Sequence, residues 1–278
     1  MPTSVADVNA VVERLWPMSG AEAWDAPGLI AGDPAAPVST IHLAVDAVID
    51  TVDEAIELGA DLLLVHHPLL LRGVTTIAGS TYKGSVLSKL IKADCALIAA
   101  HTNADVVSRG TSAMFAEKLG LLDAVAFDGE GEGLGRVGTL AEPLTLGALA
   151  ARVGEVLPAT AGGVRVSGDF DAPISRVALC GGAGDSFLSD PAVLGADVYI
   201  TSDLRHHPAS EARETARIVG GPALIDVAHW ASEWLWLDAA ADQLRAALPG
   251  VTVTVSDLRT DPWDFVVVQD NRVEKLWR

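Results

Sequence analysis

Four apolar stretches of this chain run directly into residues that can bind a metal ion. Residues 62–65 lead into His66-His67-Pro68, and residues 95–100 lead into His101-Thr102-Asn103-Ala104-Asp105. Residues 198–200 lead into Thr201-Ser202-Asp203, with His206-His207 close behind, and residues 223–227 lead into Ala228-His229. A lone histidine at a strand end is ordinarily a hydrogen-bonded structural residue. Four such ends carry more weight, because a twisted parallel sheet gathers the carboxyl ends of its strands at one rim. His229 and Glu233 add a helical spacing: four residues apart, they share a helix face and can reach the same ion or ion pair. Trp230, Trp234 and Trp236 surround that pair and predict a walled pocket rather than an exposed helix surface.

The candidate ligand set is therefore His66, His67, Asp105, His229 and Glu233. Three imidazoles and two carboxylates, with no sulfur, suit Zn, Mn, Fe, Co or Ni rather than Ca or Mg. Five protein ligands exceed the three typical of a catalytic zinc. They match two divalent ions roughly 3.5–4 Å apart joined by a carboxylate. Two such ions bring four positive charges against two negative ones, and the surplus favours hydroxide or a phosphate-bearing substrate. His101, His206 and His207 are candidates for acid/base catalysis or substrate contact, each also readable as structural. Thr102 and Asn103 are placed to orient Asp105 through hydrogen bonds.

The elements that must position these residues are legible as hydrophobic pattern. Val5, Val8, Val12 and Leu15 predict a first amphipathic helix. Strands are expected at 41–45, 62–65, 95–100, 177–180, 198–200, 223–227 and 251–255, with a last one at 265–268. Residues 62–65 are apolar without alternation, as in a parallel strand buried on both faces. Helices are expected at 51–58, 85–93, 111–119, 144–156, 208–219 and 232–248. Thr51 and Glu54 suggest a capping box, and Gly59 a helix stop. Residues 24–29 read as a loop. Gly181-Gly182-Ala183-Gly184, between a strand and a helix, reads as a tight turn that could bind an anion, although it lacks the Lys-Ser/Thr of a P-loop.

Two halves echo one another. Strand, helix, Gly59-Ala60-Asp61, strand in the first half recurs as strand, Gly-rich turn, helix, Gly195-Ala196-Asp197, strand in the second. This predicts an α/β protein of two similar lobes, with mostly parallel or mixed sheets and helices outside. Metal would then bind at strand carboxyl ends between the lobes. The expected division is 1–125 for the first lobe, 134–225 for the second, and 226–278 for a strand-helix unit packing back on the first. The acidic, Gly-rich run Asp128-Gly129-Glu130-Gly131-Glu132-Gly133 is the expected connection between lobes.

Composition narrows the function classes. The 278 residues are half hydrophobic and one-fifth charged, ample for a real core and unlike a disordered chain. A formal charge of −18 argues against bulk nucleic-acid binding, which needs a basic face, but allows a nucleotide held at a metal. No apolar run approaches the roughly 20 residues needed to span a bilayer, and the opening residues lack a secretory pattern. The expected location is cytoplasmic, with Cys95 and Cys180 as buried free thiols.

Several stretches also resemble the NIF3-like family of dinuclear-metal proteins, the GTP cyclohydrolase I type 2 homologues. They are Trp24-Asp25 with Gly28-Leu29, His66-His67-Pro68, His101 to Asp105, Gly133 to Gly138, Cys180 to Gly184, Thr201 to Leu204, Asp226 to Glu233, and Asp261-Pro262. The resemblance spans nearly the whole chain. It implies metal ligands at His66, His67, Asp105, His229 and Glu233, with Glu233 bridging two ions, and a homohexameric toroid enclosing the sites. The short acidic connection leaves no room for the domain that some relatives insert between the lobes. The function implied is metal-dependent hydrolysis of a small substrate, a nucleotide or phosphoester. The alternative is a non-catalytic protein that handles metal or regulates a partner.

Overall fold

The computed structural model describes residues 2–129 and 132–267. Its first elements are α1 (Val5–Leu15), β1 (Gly28–Ala31), β2 (Thr40–Ala44), α2 (Ile49–Glu57), β3 (Leu62–Val65), α3 (Tyr82–Lys92), β4 (Ala96–Ala99), α4 (Thr102–Asp105) and α5 (Thr111–Leu119). Next come β5 (Leu122–Ala126), β6 (Gly135–Thr145), α6 (Leu146–Val156), β7 (Arg165–Ser167), β8 (Pro173–Ala183), α7 (Pro191–Leu194) and β9 (Val198–Ser202). The last are α8 (His206–Val219), β10 (Ala223–Val227), α9 (His229–Trp234), α10 (Leu237–Ala247) and β11 (Thr252–Val255).

The strands form two mixed sheets, in the orders β1-β4-β3-β2-β11 and β5-β6-β8-β9-β10-β7. In the first, β11, β2, β3 and β4 are parallel and β1 is an antiparallel edge. In the second, β8, β9 and β10 are parallel between antiparallel β6 and β7. Each lobe thus holds three consecutive parallel strands in the same spatial order.

The repeated Gly-Ala-Asp does one job in both lobes. Asp61 Oδ2 accepts from the Ser39 and Thr40 N–H groups at 2.7 and 3.0 Å. Asp197 Oδ2 accepts from Ser175 and Arg176 at 2.8 and 2.7 Å. The backbone of each aspartate also bridges its neighbours, donating to Thr40 or Arg176 and accepting from Ala96 or Ala223. One short side chain therefore satisfies backbone donors where the ladder begins, and ties the three strands into register.

Side-chain alternation then divides the cores. Leu62 and Leu64 of β3 face a large core shared with α1, α5, α10 and the inner face of the second sheet, including Val177, Leu179, Val198 and Ile200. Leu63 and Val65 face α2 and α3. The outer face of the second sheet, with Ala178, Cys180 and Tyr199, is covered by α7 and α8. Both cysteines are buried and free. Among the described residues no helix is long and apolar enough to cross a membrane.

Several local readings change. The helix expected at 51–58 starts at Ile49, so Thr51 sits inside its first turn. The Thr51 hydroxyl accepts from Val48 N–H at 3.1 Å, while Glu54 reaches His42 at 2.9 Å instead of closing a cap. Gly59 ends this helix with φ +66°, as expected of a stop glycine. Residues 28–31 are an edge strand, not loop, because β4 offers them an open ladder. β5 and β6 pair in the second sheet, so Asp128-Gly129 and Glu132-Gly133 of the acidic run lie between two strands of that sheet, while Glu130 and Gly131 lie outside the described residues. The helix expected at 232–248 breaks into α9 and α10, with Leu235 and Trp236 buried at the break. Residues 265–267 form no strand, and Val268 lies outside the described residues.

Candidate metal centre

β3 is stiff and buried, and the chain bends as it leaves the sheet at His66 and His67. In an extended strand adjacent side chains would point to opposite faces. The bend brings both imidazoles to one side, with ring centroids 5.1 Å apart. His66 is fully buried and donates Nδ1–H to the Ala100 carbonyl at 2.9 Å. His67 donates Nδ1–H to Asp46 Oδ1 at 2.7 Å. Each Nε2 is thereby left facing inward.

The other candidate ligands arrive from beyond the ends of β4 and β10. Asp105 closes the short α4, and its Oδ1 lies 3.5 Å from His66 Nε2 and accepts the Thr111 hydroxyl at 2.5 Å. Thr111, not Thr102 or Asn103, orients this carboxylate: Thr102 binds Asp25, and Asn103 donates to the Trp16 carbonyl. The spacing of His229 and Glu233 works as expected, placing His229 Nε2 2.8 Å from Glu233 Oε1. His229 donates Nδ1–H to Asp203 Oδ2 at 2.8 Å. Glu233 Oε1 also lies 3.6 Å from His66 Nε2, and Oε2 lies 2.9 Å from His67 Nε2. One carboxylate therefore reaches three imidazoles.

Among the described residues two groups of donor atoms, each mutually within 4.8 Å, emerge: His66, His67 and His101, and His67, His229 and Glu233. His67 is common to both. His66 Nε2 is buried without a hydrogen bond, and so is Glu233 Oε2, whose approach to His67 lacks hydrogen-bond alignment. Buried polar atoms left unpaired are costly, and here two converge on one spot with nitrogen and oxygen donors around them. The residues fit a divalent transition metal. Neither cysteine belongs to these groups: Cys180 Sγ points to the Leu134 and Gly181 carbonyls, and burial, with Asp105 nearby, pushes its thiol up to about 12.

Electrostatics of the metal-free site show how strongly these groups couple. Burial alone would push Glu233 up, but His229, His67 and His66 hold it well below the usual carboxylate range. Burial opposes charge on His229, yet Glu233 and Asp203 raise it to about 10, and Glu233 and Asp46 raise His67 in the same way. Burial and then Glu233 raise Asp105, against the pull of His66. His101 moves the other way, to about 4, because burial and the neighbouring His66 charge outweigh Asp25.

Sequence pattern missed the role of the carboxylates behind the imidazoles: Asp25, Asp46 and Asp203 each hold an Nδ1. Asp203 stands out only as a strand end and Asp25 only within a family-like stretch, and nothing marks Asp46. It also placed the tryptophans imperfectly. Trp236 packs against His66 at 5.4 Å and Trp24 against His101 at 5.8 Å, while Trp230 and Trp234 pack on each other. His206 and His207 stand outside both donor groups, exposed at the start of α8 with rings 5.3 Å apart.

The Gly-rich stretch supports the site instead of cradling an anion. β8 continues through Ala183, a 3-10 turn rather than a helix follows, and the Gly181 and Gly182 N–H groups are taken by Ser112 and Ser232. Gly182 has φ +70°, and a Cβ there would lie 2.5 Å from Glu233 Oε1. Only glycine lets the backbone pass this close to the shared carboxylate. A cavity of about 1000 Å³ opens elsewhere, at the amino-terminal ends of β8–β10 beside α6 and α8.

Comparison with known proteins agrees with this architecture. Residues 3–262 match the model of the Duf34/NIF3 (NGG1p interacting factor 3) family. A GTP cyclohydrolase 1 type 2 homolog of Streptomyces coelicolor is 48% identical over 93% of this chain and 93% of its own. The Staphylococcus aureus hypothetical protein SA1388 superposes with a TM-score of 0.87 at 28% identity, over 96% of this chain and 100% of that one. A Bacillus cereus protein related to NIF3 gives 0.87 at 25% identity, over 95% and 99%. With its paired sheets and the family match along almost its full length, this chain belongs to the Duf34/NIF3 family.

Proposed function

We propose that this protein is a divalent-metal-dependent hydrolase acting on a small phosphate-bearing substrate, a nucleotide or phosphoester, through two ions held by His66, His67, Asp105, His229 and Glu233. The observation that carries the reading is Glu233. Its two oxygens face different imidazoles, Oε1 toward His229 at 2.8 Å and Oε2 toward His67 at 2.9 Å, which suits a carboxylate shared by two ions. The name borne by the chain's relatives, GTP cyclohydrolase 1 type 2 homolog, adds a guanine nucleotide to the substrates worth testing.

When bound, such ions supply Lewis acidity toward a phosphoryl or carbonyl oxygen and make a nearby water more acidic. The chain supplies the geometry. Ala100, Asp46 and Asp203 fix the tautomers of His66, His67 and His229 so that each offers an Nε2 lone pair. Trp236 closes the inner side against His66, excluding water there. With two carboxylates against two divalent ions, the loaded site keeps a positive excess that draws anionic substrates. The small-molecule substrate, a homohexameric assembly and cytoplasmic residence belong to the same proposal.

The test is a screen of nucleotides and phosphoesters against protein loaded with Mn or Zn, beside Glu233→Ala and His67→Ala controls. Metal-dependent turnover lost in both variants is the expected result. No turnover across the screen, with metal still bound, would overturn the hydrolase reading in favour of metal handling. Light scattering checks the hexamer.

A further inference from the structure

We propose that His101 is a fourth imidazole ligand of the metal centre, and that Asp25 is the positioning residue that holds it there. This rests on the metal-centre reading and extends its ligand set beyond the five residues above. His101 carries one of three donor nitrogens, with His66 and His67, that all lie within 4.8 Å of one another. Its ring centroid is 5.1 Å from that of His66 and 5.5 Å from that of His67. Such spacing is what three imidazoles around one ion require, since metal–nitrogen bonds are about 2.0–2.1 Å long.

The way His101 is held separates it from an ordinary buried histidine. His101 Nδ1–H donates to Asp25 Oδ1 at 2.8 Å, leaving Nε2 as the only ring nitrogen with a free lone pair. The Asp25 carboxylate is completely buried and cannot rotate: it also accepts from Ala26 N–H at 2.7 Å, from Thr102 N–H at 3.0 Å and from the Thr102 hydroxyl. His66, His67 and His229 follow the same plan, with Nδ1 engaged and Nε2 turned to the cluster. His42 is the contrast. It is more deeply buried than His101, but both of its ring nitrogens are used, by Thr254 at 2.8 Å and Glu54 at 2.9 Å. That is how this chain builds a structural histidine.

The internal repeat points the same way. In each lobe the third parallel strand is followed, two residues on, by a histidine, and four residues later by a buried carboxylate. β4 ends at Ala99 before His101 and Asp105, and β10 ends at Val227 before His229 and Glu233. His101 therefore occupies in the first lobe the place that His229 occupies in the second. The orienting carboxylates come from unrelated positions, Asp25 before β1 and Asp203 after β9, so the two lobes arrive at one arrangement by separate contacts.

The test uses the full chain with ¹⁵N-labelled histidine, stripped of metal and reloaded with ¹¹³Cd²⁺, and counts the imidazole nitrogens coupled to cadmium. The expected result is four coupled Nε2 signals, with the His101 signal identified by its loss in His101→Gln. Three coupled signals, from His66, His67 and His229, with His101 uncoupled, would overturn the proposal and leave the metal-centre reading intact. No coupled signal would overturn both. For Asp25, the Asp25→Asn variant should weaken cadmium binding about tenfold or more and shift or abolish the His101 coupling while keeping that of His229. An unchanged His101 coupling and affinity would remove Asp25 from the proposal. The count in the unmutated protein decides the ligand question even if a variant fails to fold.

Discussion

The two lobes share a plan of three parallel strands pinned by Gly-Ala-Asp, yet their carboxyl-terminal rims are armed differently. The first presents His66-His67 just after its middle strand, where the second has Ser202, the last residue of β9, and Asp203. Asp203 serves the centre only through the Nδ1 of His229. The first lobe thus brings most of the imidazoles, and the second brings Glu233, the carboxylate that reaches three of them. Shared architecture sets where strand ends meet. The residues placed just beyond those ends decide which lobe donates nitrogen and which donates charge.

The strongest way to break this division of labour is to remove Glu233. Glu233→Ala should abolish metal retention on both sides of the cluster, read as metal per chain after dialysis. It should also destabilise the metal-free protein by about 3 kcal/mol in urea unfolding, because buried imidazolium charges lose their counter-charge. Retention of metal by this variant would place the shared carboxylate elsewhere.

A pH series on the same ion pairs comes next, and its signs oppose one another. His229 is raised from 6.5 to about 10 in the folded, metal-free protein. Its stabilisation is therefore full below pH 6.5 and is lost as pH rises toward 10. Glu233, held low, contributes stability above about pH 4.5 that disappears as pH falls through its folded value. Metal binding needs neutral imidazoles, so affinity should climb over the range in which metal-free stability declines. Thermal melts with and without metal, compared at pH 6.5 and 9.5, check this. Parallel trends would contradict it.

His67 sharpens the comparison between lobes, because it belongs to both donor groups and His229 to one. His67→Ala should cost both ions and His229→Ala one, measured by metal titration. Equal losses would mean that the lobes contribute symmetrically. The smallest change is Gly182→Ala, which adds one methyl group at φ +70° against Glu233 Oε1. About 1–2 kcal/mol of backbone strain is expected, together with weaker metal retention. Wild-type retention would show that the carboxylate has room to move.

Much of the scaffold was legible in hydrophobic pattern alone. The strands at 62–65 and 223–227 and the helix at 111–119 appear where periodicity puts them, since each has a buried face written in one short stretch. The antiparallel strands β1, β5, β6 and β7 were not legible, because each owes its strand form to a partner ladder rather than to a continuous apolar stretch of its own. The break between α9 and α10 was missed for a related reason, because Leu235 and Trp236 fit a helical pattern yet are buried at the turn.

At the site the division is similar. Residue type and strand-end placement alone nominated His66, His67, Asp105, His229 and Glu233 as one candidate set, and the i, i+4 spacing determined that His229 faces Glu233. Only the tertiary structure decided that the bend after β3 turns both His66 and His67 inward, and that His101 joins them while His206 and His207 stay outside. It alone brought Asp25, Asp46 and Asp203 behind the imidazoles and Gly182 against Glu233. The physical reason is one of range. Periodicity and local spacing are properties of neighbours in the chain, whereas a hydrogen bond to a ring nitrogen depends on where distant loops come to rest when two sheets share a core.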